Sequence, residues 1–306
     1  APTCYPCDCL HTSTGCLPSR YRNAGGVLST LMSEAVSFHI AGLSFQGLCF
    51  GPEDGHRVLA LHGWLDNAAS FSRIAPLLAG CRVVAIDQRG HGLTDHLRRP
   101  YHIWDGVPDV IEVLEALGWD RAILLGHSMG AAVATIVAGA YPDRVQQLWL
   151  LEGLGPWTYS DGEAPDQLRQ STERLKQMDD RQLPLYESID QAIDARVRGG
   201  VLPLTRAAAD PIVRRGVVRN SKGWTWASDK FLTSPPLFRM DEQQIRVFIE
   251  RLDMPVSLAL GDAGFSRDSL FLPARIELCR DIRVETFEGG HHLHLEGAEG
   301  PIARWL

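Results

Sequence analysis

The segment from residue 121 to residue 142 constrains the fold of this chain more than any other. It contains an apolar run (AILL), the pentapeptide GHSMG at residues 126–130, and a small-residue run (AAVATIVAGA) that is followed by Tyr141 and Pro142. This order predicts a buried strand, a sharp turn and a buried helix. A G-x-S-x-G turn in that setting leaves the serine hydroxyl exposed above the edge of a sheet. Ser128 is therefore a candidate nucleophile.

Similar apolar runs recur along the chain and alternate with helical patterns. We expect strands near residues 36–41, 43–50, 57–61, 82–86, 121–126, 145–152, 255–261 and 282–288, and helices near 103–118 and 129–141. Buried strands that alternate with helices are typical of an α/β fold, with a mostly parallel sheet covered by helices on both faces.

The alternation stops between residues 153 and 250. This stretch contains polar helical patterns at 167–178 and 188–198 and the Trp-rich sequence GWTWASDK. About a hundred residues are too many for an ordinary loop, so we expect a helical cap inserted after the sixth strand. The predicted core then consists of residues 32–152 and 251–306.

The first 31 residues differ in composition from the rest. They contain four of the seven cysteines, Cys4, Cys7, Cys9 and Cys16, and they lack the basic start and apolar centre of a signal peptide. The paired C-x2-C knuckles of a zinc ribbon are missing, so we expect no metal site there. We expect residues 1–31 to be a disordered leader.

Composition excludes several classes of partner. The net charge is −7 and the basic residues are not clustered, which argues against nucleic acid binding. No apolar run is long enough to span a bilayer. The three later cysteines lie in apolar surroundings, as expected for buried thiols in a cytoplasmic protein. Nothing in the pattern defines an oligomeric state.

A serine nucleophile needs a general base further along the chain. The sequence GGHHLHLE at residues 289–296 follows the last predicted strand, and its glycines would release His291 onto a loop. His292 and His294 are rivals for this role. The three histidines could also hold a metal, but Glu296 is the only further ligand type nearby, so we expect none. We expect His294 to pack against or cap the last helix.

An acyl-transfer site also needs two N–H donors for the oxyanion. Met129 follows the candidate nucleophile and supplies the first. The second is expected from Trp64, in the loop HGWLDN (residues 62–67) after the third predicted strand.

Taken together, HGWLDN, DQRGHGLTD (residues 87–95), GHSMG and GGHHLHLE resemble the α/β-hydrolase superfamily. The stretches HGWLDNAASF and GWTWASDK are similar to the serine hydrolase-like proteins and their bacterial relatives. The resemblance implies an eight-stranded, mostly parallel sheet with a helical lid between the sixth and seventh strands. It also implies that Asp87, Arg89 and His91 form a structural loop without a catalytic role.

The acid of the triad is less clear from the sequence. Most of the superfamily carries it three residues after the glycine that closes the seventh strand, but this position is Gly264 in GDAG. Asp262 and Asp268 are alternatives in the same loop. Glu152 ends the sixth strand, where some relatives carry the acid and where the resembling group has a carboxylate. We favour Glu152, with Asp262 as the alternate.

These residues predict a serine hydrolase that cleaves a small, apolar carboxylic ester or related acyl substrate through an acyl-enzyme, without a cofactor. Carbon–carbon hydrolysis and perhydrolysis use the same triad and remain open. A non-catalytic protein that binds a ligand through a retained pocket is the alternative from another class. We expect His127, Trp157 and Trp224 to line the substrate pocket.

Overall fold

The computed structural model of the protein describes residues 33–158, 161–199, 204–265 and 269–306. The expected leader with its four cysteines and the alternative acid Asp268 lie outside these residues. Eight of the ten strands described form one sheet, in the order β1-β2-β4-β3-β5-β6-β9-β10. Their bounds are β1 Glu34–Ile40, β2 Leu43–Phe50, β3 His56–Leu61, β4 Cys81–Ile86, β5 Ala122–His127, β6 Val145–Leu151, β9 Val256–Gly261 and β10 Ile282–Phe287.

The sheet is parallel except at one edge. Strand β2 pairs antiparallel with both β1 and β4, and every other neighbouring pair is parallel. The predicted strands and the mostly parallel eight-stranded sheet are therefore confirmed. Because the central strands run the same way, the carboxyl ends of β3, β5, β6, β9 and β10 all meet at one edge of the sheet. The loops that carry the candidate site residues leave from this edge.

Helices cover both faces of the sheet, as expected. Alternate residues of each strand face opposite ways, so Leu59 and Leu61 join one buried cluster while Val58 and Ala60 join the other. The bounds of the helices are α1 Gly106–Ala116, α2 Met129–Ala140, α3 Ala164–Lys176, α4 Ile189–Gly199, α5 Arg206–Gly216, α6 Glu242–Glu250, α7 Leu272–Leu278 and α8 Glu299–Trp305. Helices α1, α2, α6 and α7 contribute to the first cluster, and α8 contributes to the second.

The chain between β6 and β9 forms helices α3, α4 and α5, a hairpin and then helix α6. The hairpin pairs β7 (Val217–Asn220) with β8 (Gly223–Trp226). Helices α4 and α5 and the hairpin share a small buried cluster of their own, which also includes Leu295 from the core. Helix α6 differs, because Ile245 and Ile249 pack into the core cluster beside the sheet.

Two buried ion pairs join α4 and α5 to the sheet edge. Arg196 of α4 bonds Asp66, with 2.9 Å between Nη2 and Oδ1. Arg215 of α5 bonds Asp87 through both carboxylate oxygens, and the Asp87 side chain has no exposed surface. Both carboxylates lie in loops that follow strands of the sheet, so these helices are held against that edge of the sheet.

None of the helices in the part of the chain that the structure describes is both long enough and apolar enough to cross a membrane.

Candidate active site

Ser128 lies in the sharp turn between β5 and α2. Its φ of 52° and ψ of −111° are rare for a residue with a side chain. The flanking glycines allow the turn: a Cβ at Gly126 would lie 2.6 Å from the Ala131 backbone, and one at Gly130 would overlap the Leu61 carbonyl. Only glycine fits at these two positions, so the strained serine is supported by the packing around it.

His291 lies beside a buried carboxylate. Its Nδ1 is 3.1 Å from Oε2 of Glu152, whose side chain has no exposed surface. The other oxygen, Oε1, accepts a hydrogen bond of 2.7 Å from the Gly261 backbone N–H. A carboxylate at this distance favours the tautomer with the proton on Nδ1, which leaves Nε2 with a free lone pair. Nε2 is the atom that a general base uses.

The alternate acid is placed differently. Asp262 is exposed, and its Oδ1 accepts a hydrogen bond of 2.9 Å from the Gly289 N–H. Gly264, at the position usual for the acid, packs against Glu152: a Cβ there would lie 2.6 Å from the carboxyl carbon Cδ of Glu152. Because β6 and β9 are neighbours in the sheet, a carboxylate from the end of β6 reaches the space that a side chain at 264 would otherwise use.

Glu152 itself has an unusual backbone. Its φ is 57°, the left-handed conformation that side chains rarely adopt. Its N–H bonds the Ala259 carbonyl at 3.0 Å, which holds the end of β6 against β9. The chain therefore turns at Glu152 while its side chain remains inside, directed at the His291 ring.

The two expected oxyanion donors come to the same sheet edge. Met129 is the first residue of α2, so its N–H has no partner within the helix. The close contact of Gly130 with the Leu61 carbonyl brings the start of α2 against the end of β3, where the loop with Trp64 begins. The Trp64 ring is partly exposed, and its Nε1 donates a hydrogen bond to the Leu232 carbonyl at 2.9 Å.

Hydrogen bonds from a neighbouring loop hold the start of the Trp64 loop. The Gln88 N–H donates to His62 Nε2 at 3.0 Å, and the Gln88 side-chain amide donates to the His62 carbonyl at 2.7 Å. Burial lowers the pKa of His62, which keeps the ring neutral and able to accept at Nε2.

His127 has no exposed surface. Its Nε2 is 2.9 Å from the His291 carbonyl oxygen, and its ring lies 4.3 Å from that of His294 and 5.0 Å from that of His292. Burial, reinforced by these neighbouring histidines, holds the pKa of His127 well below its ordinary value. The neutral ring donates from Nε2 to the carbonyl, so His127 holds the His291 loop against the turn with Ser128. This position gives no support to the expectation that His127 lines a substrate pocket.

Of the two expected pocket tryptophans, one lies near His291. Trp157 is 59% exposed and its ring stacks on Phe265 at 4.5 Å, and Phe265 meets the His291 ring edge-on at 6.1 Å. Trp224 instead packs on the cluster of α4, α5 and the hairpin. Phe265 was not expected near His291, although an aromatic residue directly after Gly264 is a signal in the sequence for such a contact.

A second group of polar residues lies beneath His291 and was also missed. Asp66 is 2% exposed; its Oδ2 lies 3.2 Å from Nε2 of His292 and its Oδ1 bonds Arg196. His294 bonds Ser70 at 2.9 Å and packs on Phe71, so it is a packing residue, but its partners follow β3 and do not belong to the last helix. The HGWLDN motif contains Asp66, but no pattern in the sequence links it to residues 130 and 226 positions away.

Comparison with known proteins places the fold in a family. A family model described as the alpha/beta hydrolase fold matches residues 56–236. The chain belongs to the α/β-hydrolase family. It is 30% identical over 268 residues to a serine hydrolase-like protein of Danio rerio, covering 83% of this chain and 81% of the relative. A solved hypothetical protein from Pseudomonas aeruginosa PAO1 superposes with a TM-score of 0.83 at 39% identity, covering 88% of this chain and 96% of the other. A thioesterase domain from the curacin biosynthetic pathway superposes with a TM-score of 0.79 at 25% identity, covering 90% and 98%.

The family resemblance read from the sequence is therefore confirmed. In this α/β hydrolase, the loop of Asp87, Arg89 and His91 makes internal contacts. The Asp87 carboxylate accepts hydrogen bonds from the N–H groups of Ala68 and Leu93, and Arg89 pairs with Asp109 of α1. These contacts support the sheet edge beside the site.

Proposed function

We propose that this α/β hydrolase is a serine hydrolase that cleaves a small, apolar carboxylic ester or a related acyl substrate. Ser128 attacks the acyl carbon, His291 takes the hydroxyl proton at Nε2 and delivers it to the leaving group, and Glu152 stabilises the imidazolium. The N–H groups of Met129 and Trp64 stabilise the oxyanion. Water then hydrolyses the acyl-enzyme through the same base, and no cofactor takes part.

The observation that carries the proposal is the contact between His291 and Glu152. A buried carboxylate bonded to Nδ1 at 3.1 Å orients the ring and fixes its tautomer. The strained backbone of Ser128 is the second support, because such strain is kept where a nucleophile must be presented.

The substrate class rests on the aromatic residues beside His291. Trp157 and Phe265 offer an apolar surface next to the base. The likeness to the curacin thioesterase domain also supports an acyl substrate, with a thioester as the related form. We further propose that the segment between β6 and β9 is a lid over this surface, within residues 153–250 but without helix α6, which packs on the core.

Labelling with a fluorophosphonate probe tests the proposal. The probe reacts only with an activated serine, so the folded wild type should be labelled and Ser128→Ala should not. Asp262→Asn is the matched control and should be labelled like the wild type. A folded wild-type protein that is not labelled would contradict the proposal and favour a non-catalytic binding protein.

A screen of acyl substrates completes the test. Esters and thioesters of increasing chain length should be cleaved with burst kinetics, because an acyl-enzyme accumulates when its hydrolysis is slow. Turnover only of carbon–carbon bonds, or of peroxide with a carboxylic acid, would keep the triad and replace the substrate class.

A further inference from the structure

Three side chains beneath the proposed active site converge on one point. Asp66, His127 and His292 each offer one ligand atom within 4.8 Å of those of the other two, and all three residues are buried. The carboxylate oxygen is 3.2 Å from the His292 nitrogen and 3.9 Å from the His127 nitrogen. In a tetrahedral zinc site with bonds of about 2.0–2.1 Å, neighbouring ligand atoms are roughly 3.3 Å apart. Small side-chain movements would therefore bring the three atoms to ligand spacing.

The ring nitrogens are available for a metal. His127 Nδ1 is buried without a hydrogen-bond partner, and its Nε2 carries the proton that it donates to the His291 carbonyl. A lone pair therefore points from Nδ1 toward Asp66. His292 Nδ1 is likewise buried without a partner. On metal binding the neutral His292 ring moves its proton from Nε2 to Nδ1, so the ring stays neutral, Nε2 supplies the lone pair, and no oxidant or reductant is needed.

The backbone leaves room beside these atoms. A Cβ at Gly63 would lie 2.8 Å from His127 Nδ1 and 3.4 Å from Asp66 Oδ2. Any other residue at this position would fill the space between the histidine and the carboxylate.

A competing cation is already present. Arg196 of α4 bonds Oδ1 of Asp66 at 2.9 Å and compensates its charge. A dication placed on the other oxygen would lie close to the guanidinium, and this repulsion weakens its binding. Without Arg196, the buried carboxylate would keep its two histidines and lose its counter-charge.

We propose that Asp66, His127 and His292 form a binding site for a divalent transition metal of the zinc class, and that Arg196 competes with the metal for Asp66. Two imidazoles and one carboxylate suit Zn²⁺ or Co²⁺ rather than Mg²⁺ or Ca²⁺. Three protein ligands leave a fourth position for water. This site departs from the expectation of no metal, which considered Glu296 as the acidic partner; Glu296 instead accepts the Thr205 N–H at 2.7 Å.

The test measures metal binding directly and does not depend on turnover. The four cysteines near the N-terminus (Cys4, Cys7, Cys9 and Cys16) are first replaced by serine in the full chain, because thiolates also bind zinc. Calorimetry with Zn²⁺ and absorption spectra with Co²⁺ then report stoichiometry, affinity and ligand type. The four-serine protein should bind one equivalent, and its Co²⁺ spectrum should lack thiolate charge transfer.

Single changes in this background separate a built site from adventitious binding. His292→Gln should weaken binding about a hundredfold, since even losing a group that only supports a ligand costs 10–100-fold. His294→Gln is the matched control, buried in the same cluster but bonded to Ser70, and should change affinity by less than about threefold. Arg196→Met should tighten binding about tenfold or more.

Circular dichroism tests whether each variant folds. If His292→Gln does not fold, Asp66→Asn takes its place. Two results would overturn the proposal: no binding by either the four-serine protein or its Arg196→Met derivative, or equal affinities in His292→Gln and His294→Gln.

Discussion

The Glu152 carboxylate occupies the space that a side chain at Gly264 would take, with 2.6 Å between the Glu152 Cδ and the position of a Cβ at residue 264. The two residues follow neighbouring parallel strands, β6 and β9. A sheet edge can therefore supply the acid of a triad from either strand, provided that the other position is empty. In this chain the glycine and the glutamate are complementary in shape.

Replacing the two candidate acids should have unequal effects. Glu152→Gln keeps the shape but removes the charge that stabilises the His291 imidazolium, so kcat should fall by about 10⁴-fold. Asp262→Asn should change kcat by less than about threefold, because Asp262 is exposed and bonds Gly289 rather than the histidine. Steady-state kinetics on the best ester of the substrate screen measures both values. Two small losses would show that neither residue is the acid.

The acid should be transferable from residue 152 to residue 264. Gly264→Asp alone should be inactive, because the new side chain overlaps the Glu152 carboxylate. Glu152→Gly alone should also be inactive, although glycine suits the φ of 57° at that position. The kcat of the double variant should be at least about tenfold higher than that of either single variant, as expected for two sites that share one space.

The outcome would be read as a double-mutant cycle on folded proteins. Gly199→Ala serves as the control, since a Cβ there meets nothing within 4 Å. Additive losses in the double variant would mean that the position of the carboxylate beside His291 is not what the activity requires.

The sequence predicted the strands, the helices and the turn at Ser128 because each depends on local pattern. The glycines of GHSMG and the apolar runs around them act over a few residues, and the structure contains the strand, the turn and the helix that they predict. The sequence left a choice between Glu152 and Asp262 as the partner of His291. The choice depends on which strand ends are neighbours, and this is a property of strand order in the sheet. The strands β6 and β9 are adjacent in space but separated by about a hundred residues of inserted chain.

The cluster around Asp66 could not be predicted from the sequence for the same reason. Its members come from the loop after β3, from the end of β5, from helix α4 and from the loop after β10, so no spacing rule connects them. The tryptophans were only partly predicted, because the sequence does not distinguish one that stacks near the site from one that packs inside the segment between β6 and β9. Trp157 stacks on Phe265 and Trp224 packs on the cluster of α4, α5 and the hairpin, which depends on how that segment folds.

The ion pair between Arg215 and Asp87 should contribute strongly to stability. Arg215→Met would leave the Asp87 carboxylate buried without its counter-charge, and the free energy of unfolding should fall by about 3 kcal/mol. Arg214→Met is the matched control on the same helix. Arg214 pairs with Asp210 at the surface, so the free energy of unfolding should fall by less than about 1 kcal/mol. Urea denaturation measures both. Equal losses in the two variants would contradict a buried role for Arg215.

Stability should also depend on pH through His91. Burial, reinforced by the neighbouring His62, lowers the pKa of His91 from 6.5 to about 3. The unfolded chain binds a proton at His91 below its ordinary pKa and the folded protein does not, so stability is full above about pH 6.5 and decreases as the pH falls toward about 3. Each pH unit in this range costs about 1.4 kcal/mol for this one group.

The variant His91→Gln removes this proton-binding group, so its free energy of unfolding should depend less on pH. Between about pH 7.5 and pH 5 the wild type should lose about 2 kcal/mol more than this variant, measured by urea denaturation at each pH. His39→Gln is the control, because His39 is exposed on β1, and it should follow the wild-type curve. The difference arises because the His91 ring, buried against the His62 ring at 5.0 Å, can carry a positive charge only after the loop that holds it unfolds. If His91→Gln lost stability with the same slope as the wild type, the His91 ring would have to be accessible to protons in the folded protein.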